Sequence, residues 1–239
     1  MQQCRALKVL TTKGIRMGKA EPLGIVIIGA GGHASVAAEI ITARSTLENR
    51  YELLGFLDDD PKMIGTQVHG KPVLGSTKDL DQIPHGGIFI AIGDNQARRR
   101  VFQECILNGE NVISLIHPES ITASDVIMGS GVMIAPGVVV NPGSTIGTNV
   151  IINTSASVDH HNAIADHVHI APGVHLGGDV SIGEGTLVGI GAVVVPQCTI
   201  GAWSIIGAGA VVREPINDHI LAAGVPAKAI KSLEIEDIS

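Results

Sequence analysis

At 239 residues and 45 % hydrophobic composition, the chain is long enough to bury one large core or two modest ones. Its net charge of −7 is unevenly placed: Arg5, Lys8, Lys13, Arg16 and Lys19 precede the first acid, Glu21, which leaves −12 to the rest of the chain. An acidic body argues against nucleic acid or an anionic membrane as the main partner.

Residues 1–22 form a basic leader without the roughly 7–15 apolar residues of a secretory signal, and no run approaches the ~20 apolar residues of a membrane span. The leader is expected to be disordered, with Met17 as an alternative start, and the protein to be soluble and cytoplasmic. Cys4, Cys105 and Cys198 are few, scattered and odd in number, which suits a reducing compartment and no disulfide framework.

Residues 23–115 alternate strands with helices. "GIVIIGAGG" is an apolar strand closing on glycines, and "HASVAAEIITAR" repeats its apolar residues at helical spacing. "YELLGFLDDDP" supplies a second strand ending in acids, "GIFIAIGDN" a third, and "QARRRVFQECILNG" a helix closed by Gly109. This pattern predicts a small Rossmann-like parallel sheet with ligands beyond the carboxyl ends of its strands. Three places there invite a ligand, each with a plainer alternative. Gly29 and Gly32 could bring backbone N–H groups to a phosphate or form a tight turn only, and G29-A-G-G-H-A34 lacks the third glycine of a dinucleotide fingerprint. Asp58 and Asp59 could accept from a ribose or base, or merely solvate a turn. Asn95 and Arg98 could meet a ligand, or serve as helix cap and exposed basic face.

From residue 116 the grammar changes. Tyr51, Phe56, Phe89 and Phe102 lie in the first half, and Trp203 is the one aromatic ring of Phe, Tyr or Trp type in the second. Cut into sixes from Val126, the chain places an aliphatic residue or Met at every third position from Met128 to Val212, fifteen in succession. Gly, Asn or Asp commonly follows. A six-residue period of this kind predicts a left-handed parallel β-helix over residues 116–213, about five coils of three hexads, with a C-terminal segment at 214–239. The stacked aliphatic positions fill a prism too narrow for rings. Cys198, at an inward first position, reads as core rather than as a nucleophile.

Five histidines interrupt this scaffold in "ASVDHHNAIADHVHIAPGVH". With position three inward, positions two and five face outward, so His160, His169 and His175 are expected on the surface and His161 and His167 near corners. His167 and His175 read as bystanders on a solvated face. His160 and His169 are better placed, because flat β-helix faces associate into trimers with clefts between chains, and an imidazole can take and return a proton near neutral pH. Asn153, one hexad earlier, offers amide hydrogen bonds or belongs to a buried asparagine ladder.

"IIGAGGHA", "GFLDDDP", "AIGDN" with Arg98, "NTSASVDHH", "DHVHIAPG", "LGGDVSIGEGTLVGIGAVVVP" and "AGVPAK" together resemble the PglD-like hexapeptide N-acetyltransferases of nucleotide-linked amino sugars, over residues 23–230 or so. The resemblance implies a homotrimer whose first domain holds the nucleotide sugar and whose subunit cleft holds acetyl-CoA as co-substrate, with no metal. It implies His160 as general base, Asn153 and His169 at the acetyl-CoA and substrate end, the N–H of Gly178 on the thioester oxygen, and Gly29, Gly32, Asp58, Asp59, Asn95 and Arg98 on the nucleotide-sugar loops. The family usually places Glu or Asp after the base, where this chain has His161; a neutral imidazole can orient its neighbour but adds no negative charge.

The expected reaction is N-acetylation of a nucleotide-linked 4-amino-4,6-dideoxy sugar by direct attack, with UDP favoured over GDP on family frequency. A sialic-acid O-acetyltransferase is the nearest alternative. A γ-carbonic-anhydrase-like zinc hydrase is more distant, because the histidines show no HxxxxH pair for its ligands.

Overall fold

The computed structural model describes residues 21–48 and 50–234, so the leader through Ala20, with Cys4 and Met17, lies outside the described residues. The first domain runs β1 (Leu23–Ile28), α1 (Gly32–Glu48), β2 (Tyr51–Leu57), β3 (Gln67–Val68), β4 (Lys71–Gly75), β5 (Gly87–Ile90) and α2 (Asn95–Leu107). Its sheet has the order β3-β4-β2-β1-β5, parallel except for the β3–β4 hairpin, which is an addition to the three strands expected from sequence.

β1 reads as a continuous apolar run because both of its faces are covered. Ile25 and Ile27 pack with Phe56 and Phe89 on the α1 side, while Val26 and Ile28 pack with Leu57 and Phe102 on the α2 side. The α1-side core also takes in Leu115, Met133 and Ile151, which are outward-facing residues of the β-helix. α1 is therefore wedged between the sheet and the second domain.

From Leu115 to Val212 the chain winds as a left-handed β-helix in which each two-residue strand pairs in parallel with the strand eighteen residues on, as Ile151 pairs with His169 and then His169 with Leu187. Position three points inward: Ile134, Ile152, Ile170, Val188 and Ile206 are all fully buried. The sixth position makes every corner, and all fourteen of its residues from Gly131 to Gly209 have positive φ, including Asn149, His161, His167, Asp179 and Trp203. The glycines after the aliphatic position have another reason: a Cβ on Gly147 would stand 2.7 Å from the Asp166 nitrogen of the next coil.

The three faces differ in their outward residues. The first carries Leu115, Met133, Ile151 and His169, all buried under the α/β domain. The second carries Ile121, Val139, Ser157, His175, Val193 and Val211, and the third Ile127, Thr145, Ala163, Ser181 and Thr199. After Val212, strand Ile220–Ala223 continues the first face in parallel, and Lys228–Ser232 then returns antiparallel along it. Cys198 is buried with its thiol pushed up by desolvation, in keeping with a core role.

Candidate active site

The corner between the second and third faces is the column Gly143, His161, Asp179 and Gln197, and His160 stands beside it. His160 and His161 are both exposed, and their Nδ1 atoms lie 3.0 Å apart, so one ring donates and the other accepts. If the His160 Nδ1 donates, its Nε2 keeps a free lone pair for a substrate proton. His161 thus touches the imidazole directly, where the carboxylate of Asp159 does not: Asp159 Oδ1 accepts from the His160 backbone N–H and from Asn141 Nδ2. These bonds, the one from His160 foremost, hold the Asp159 carboxyl below its ordinary range.

Gly178 lies against the His160 ring, where a Cβ would come within 2.5 Å of Cε1 and 2.7 Å of Nε2. The N–H of Gly177 donates to Val194 and that of Asp179 to the His160 carbonyl, at 2.9 Å each. Gly178 is itself buried beneath that ring, and among the described residues its N–H has no acceptor.

A second group forms around the first face. Asn153 Nδ2 lies 3.4 Å from His169 Nε2, and the His169 ring meets His33 edge-on with centroids 5.1 Å apart. His33 follows the glycine turn of the first domain, so this contact joins the two domains. Burial, then Arg98 and His33, pull His169 down to about 3, and burial followed by Arg98 also lowers His33. His169 points outward as its hexad position demands, but it is only 7 % exposed because the first domain lies over it. The expectation of a surface histidine is corrected by that cover.

His167 is corrected in the same way. It is buried, bonded to Asn149 Nδ2 at 2.9 Å and set against the Phe102 ring, and desolvation foremost pulls it to about 4.

Arg98 departs furthest from expectation. It is fully buried, and its guanidinium donates to the carbonyls of Asn149 (3.3 Å), Ile92 (3.1 Å), Gly93 (3.4 Å) and His167 (2.8 Å). Arg98 is therefore not part of an exposed basic face, and its bonds to Asn149 and His167 make it a staple between the domains. Asn95 extends it, with Nδ2 donating to the Gly185 carbonyl at 2.9 Å, and Arg99 lies over the Trp203 ring. α2 therefore runs along the corner column Asn149, His167, Gly185 and Trp203.

The glycine loop is built for its turn. Gly29 has φ 99°, and a Cβ there would meet the Ala91 carbonyl oxygen at 2.9 Å. Asp58 Oδ2 accepts from the Ala30 N–H at 2.8 Å, tying this loop to the end of β2, while Asp59 accepts from the Thr77 N–H and hydroxyl. Gly32 opens α1 and is exposed. In one chain the residues around His33 lie on the first face and those around His160 at the corner between the second and third faces, rather than in one pocket. His33 and Asp179 were not legible as site residues. The signal for Asp179 was its place eighteen residues, one coil, beyond His161.

A family model described as the PglD N-terminal domain matches residues 24–105, and the bacterial transferase hexapeptide model, six repeats, matches residues 179–214. The chain is 39 % identical over 107 residues to the UDP-N-acetylbacillosamine N-acetyltransferase of Bacillus subtilis, a match spanning 44 % of this chain and 48 % of that relative, about half its length. A histidine-to-alanine variant of the GDP-perosamine N-acetyltransferase of Caulobacter crescentus, solved with CoA and GDP-perosamine, is 36 % identical with a TM-score of 0.82, covering 92 % of this chain and 100 % of that one. The acetyltransferase domain of PglB from Neisseria gonorrhoeae, solved with acetyl coenzyme A, is 37 % identical with a TM-score of 0.82, covering 87 % and 100 %.

Proposed function

The chain belongs to the PglD-like family of hexapeptide N-acetyltransferases, and we propose on that premise that it transfers acetyl from acetyl-CoA to the amine of a nucleotide-linked 4-amino-4,6-dideoxy sugar. The observation that carries this reading is the exposed His160 ring, oriented by His161 and lying on Gly178, whose N–H is unused.

In the proposed step the amine nitrogen attacks the thioester carbonyl carbon while His160 Nε2 takes the amine proton. The carbonyl oxygen becomes an oxyanion facing the Gly178 N–H, and collapse of the tetrahedral intermediate breaks the C–S bond and expels CoA thiolate, which the imidazolium can protonate. No covalent enzyme intermediate is needed. Asn153 and His169 bind the acetyl-CoA and substrate end, and Gly29, Gly32, Asp58, Asp59 and Asn95 form the nucleotide-sugar side, with UDP favoured over GDP.

The separation of the two groups within one chain supports a homotrimer, because the His160 corner of one subunit needs the sugar-binding domain of another to complete the site. The second face, with Ile121 67 % exposed and Val139, Val193 and Val211 half-buried, is suited to that packing. Among the described residues no helix is long and apolar enough to cross a membrane, and we place the enzyme in the cytoplasm, where acetyl-CoA is supplied.

The test is product formation from acetyl-CoA with a UDP-4-amino-4,6-dideoxy sugar, its GDP counterpart and N-acetylneuraminate. His160→Ala should cut turnover by about 10²–10⁴-fold while leaving the melting temperature nearly unchanged, since the side chain is exposed. Wild-type turnover in that variant would remove His160 as base, and acetylation of N-acetylneuraminate alone would favour the O-acetyltransferase.

A further inference from the structure

The His160 corner also presents three metal-ligating groups together. One donor atom each from His160, His161 and Asp179 lies within 4.8 Å of the other two, and all three residues are exposed. The coil structure holds them there. His161 and Asp179 stack one coil apart with φ 57° and 59°, the Asp179 N–H donates to the His160 carbonyl, and the His161 N–H donates to the Pro142 carbonyl.

Glycines clear the space around both rings. Gly178 lies against His160, and a Cβ on Gly143 would stand 2.6 Å from His161 Cδ2. Asp159 is engaged by Asn141, whereas among the described residues the Asp179 carboxylate accepts no hydrogen bond. Two imidazole nitrogens on a tetrahedral zinc ion, at Zn–N of about 2.0–2.1 Å, stand roughly 3.3 Å apart. The Nδ1 atoms here are 3.0 Å apart, and the proton between them can move to the Nε2 of its own ring when a cation takes both Nδ1 lone pairs.

We propose that His160, His161 and Asp179 bind one divalent transition-metal ion of the Zn²⁺, Co²⁺ and Ni²⁺ class, and that the bound ion inhibits acyl transfer because coordination at His160 Nδ1 leaves the proton of the neutral ring on Nε2, where it can no longer accept one from the amine. The inhibition rests on the function proposed above; the binding does not. Two neutral imidazoles and a carboxylate suit this class of ion better than Mg²⁺ or Ca²⁺, which prefer oxygen ligands. The site is unlike a subunit-bridging hydrase centre, because one chain supplies all three ligands. It is a direct consequence of having His161 where a second acid would favour hard cations.

The experiment is a titration of the full chain with Co²⁺, read by its visible d–d absorption and reversed with Zn²⁺, alongside acetylated product measured by mass over the same metal range. The expected result is one Co²⁺ per chain with tetrahedral-type intensity, and a half-saturation concentration raised by at least about 10-fold in both His161→Ala and Asp179→Asn. Product formation by the wild type should fall with the same midpoint. Absence of the absorption band, or equal binding in both variants, would overturn the site, and binding without loss of product would overturn the inhibition. Should no acceptor be acetylated at all, the Co²⁺ titration still decides the site.

Discussion

Two corner columns of the same prism carry histidine in the same left-handed backbone state, and they have opposite chemistry. In the column Asn149, His167, Gly185 and Trp203, α2 covers the corner, the imidazole is buried and bonded to Asn149, and Arg98 fills the remaining carbonyls. In the column Gly143, His161, Asp179 and Gln197, among the described residues, no hydrogen bond or ring contact comes from the first domain, and two imidazoles stand exposed beside an N–H without an acceptor. Hexad position sets where a side chain points. What lies opposite decides whether it becomes structure or reagent.

The covered column should break most severely at its cation. Arg98→Ala leaves the buried carbonyls of Asn149 and His167 without their donor, and we expect a loss of about 3–5 kcal/mol in denaturant unfolding. A loss below 1 kcal/mol would mean that the domains are held by the Leu115, Met133 and Ile151 seam alone.

The open column should break in activity instead. Gly178→Ala places a methyl group against the His160 ring, and displacing the proposed base by that much should cost about 10²-fold in turnover. The melting temperature should move little, because a ring on an exposed corner can swing away. Unchanged turnover would show that His160 need not sit over Gly178.

Acid sharpens the same contrast with a smaller effect. A histidine has an ordinary value near 6.5, and burial lowers His167 to about 4 and His169 to about 3. Above about pH 6.5 neither folded nor unfolded chain is protonated at these sites, and stability is flat. Between there and about pH 4 the unfolded chain takes up protons that the folded one refuses, so stability falls as pH falls. The loss should be of the order of 2 kcal/mol for His167 at pH 4.5. His167→Asn, which suits the left-handed backbone, should melt with a shallower acid dependence. An unchanged slope would place the acid sensitivity elsewhere.

The repeat was legible to the residue, because a prism of stacked Ile134, Ile152, Ile170, Val188 and Ile206 admits one periodicity and no rings. The outward placement of His160 followed from that register, whereas Gly178 was implied only by the family resemblance. The cover of the first face did not. Arg98 lies 51 and 69 residues from the carbonyls it bonds, so nothing local distinguished a buried staple from a cation on a helix surface. His167 and His169 failed for the same reason: outward in the hexad meant inward in the molecule once α1 and α2 had docked. The turn chemistry divides between two positions, with the left-handed residues at the sixth position while the glycines after the aliphatic position make room for the next coil.

The last described strand changes the edge of the first face. A hexad prism has no intrinsic end, since each coil leaves a parallel edge on which another could stack. Here Lys228–Ser232 runs antiparallel to Ile220–Ala223, with Lys228 and Lys231 exposed along it. A further parallel coil, from this chain or a second one, would meet reversed polarity and a row of like charges. On that face the chain thereby carries its own stop mark against end-to-end stacking.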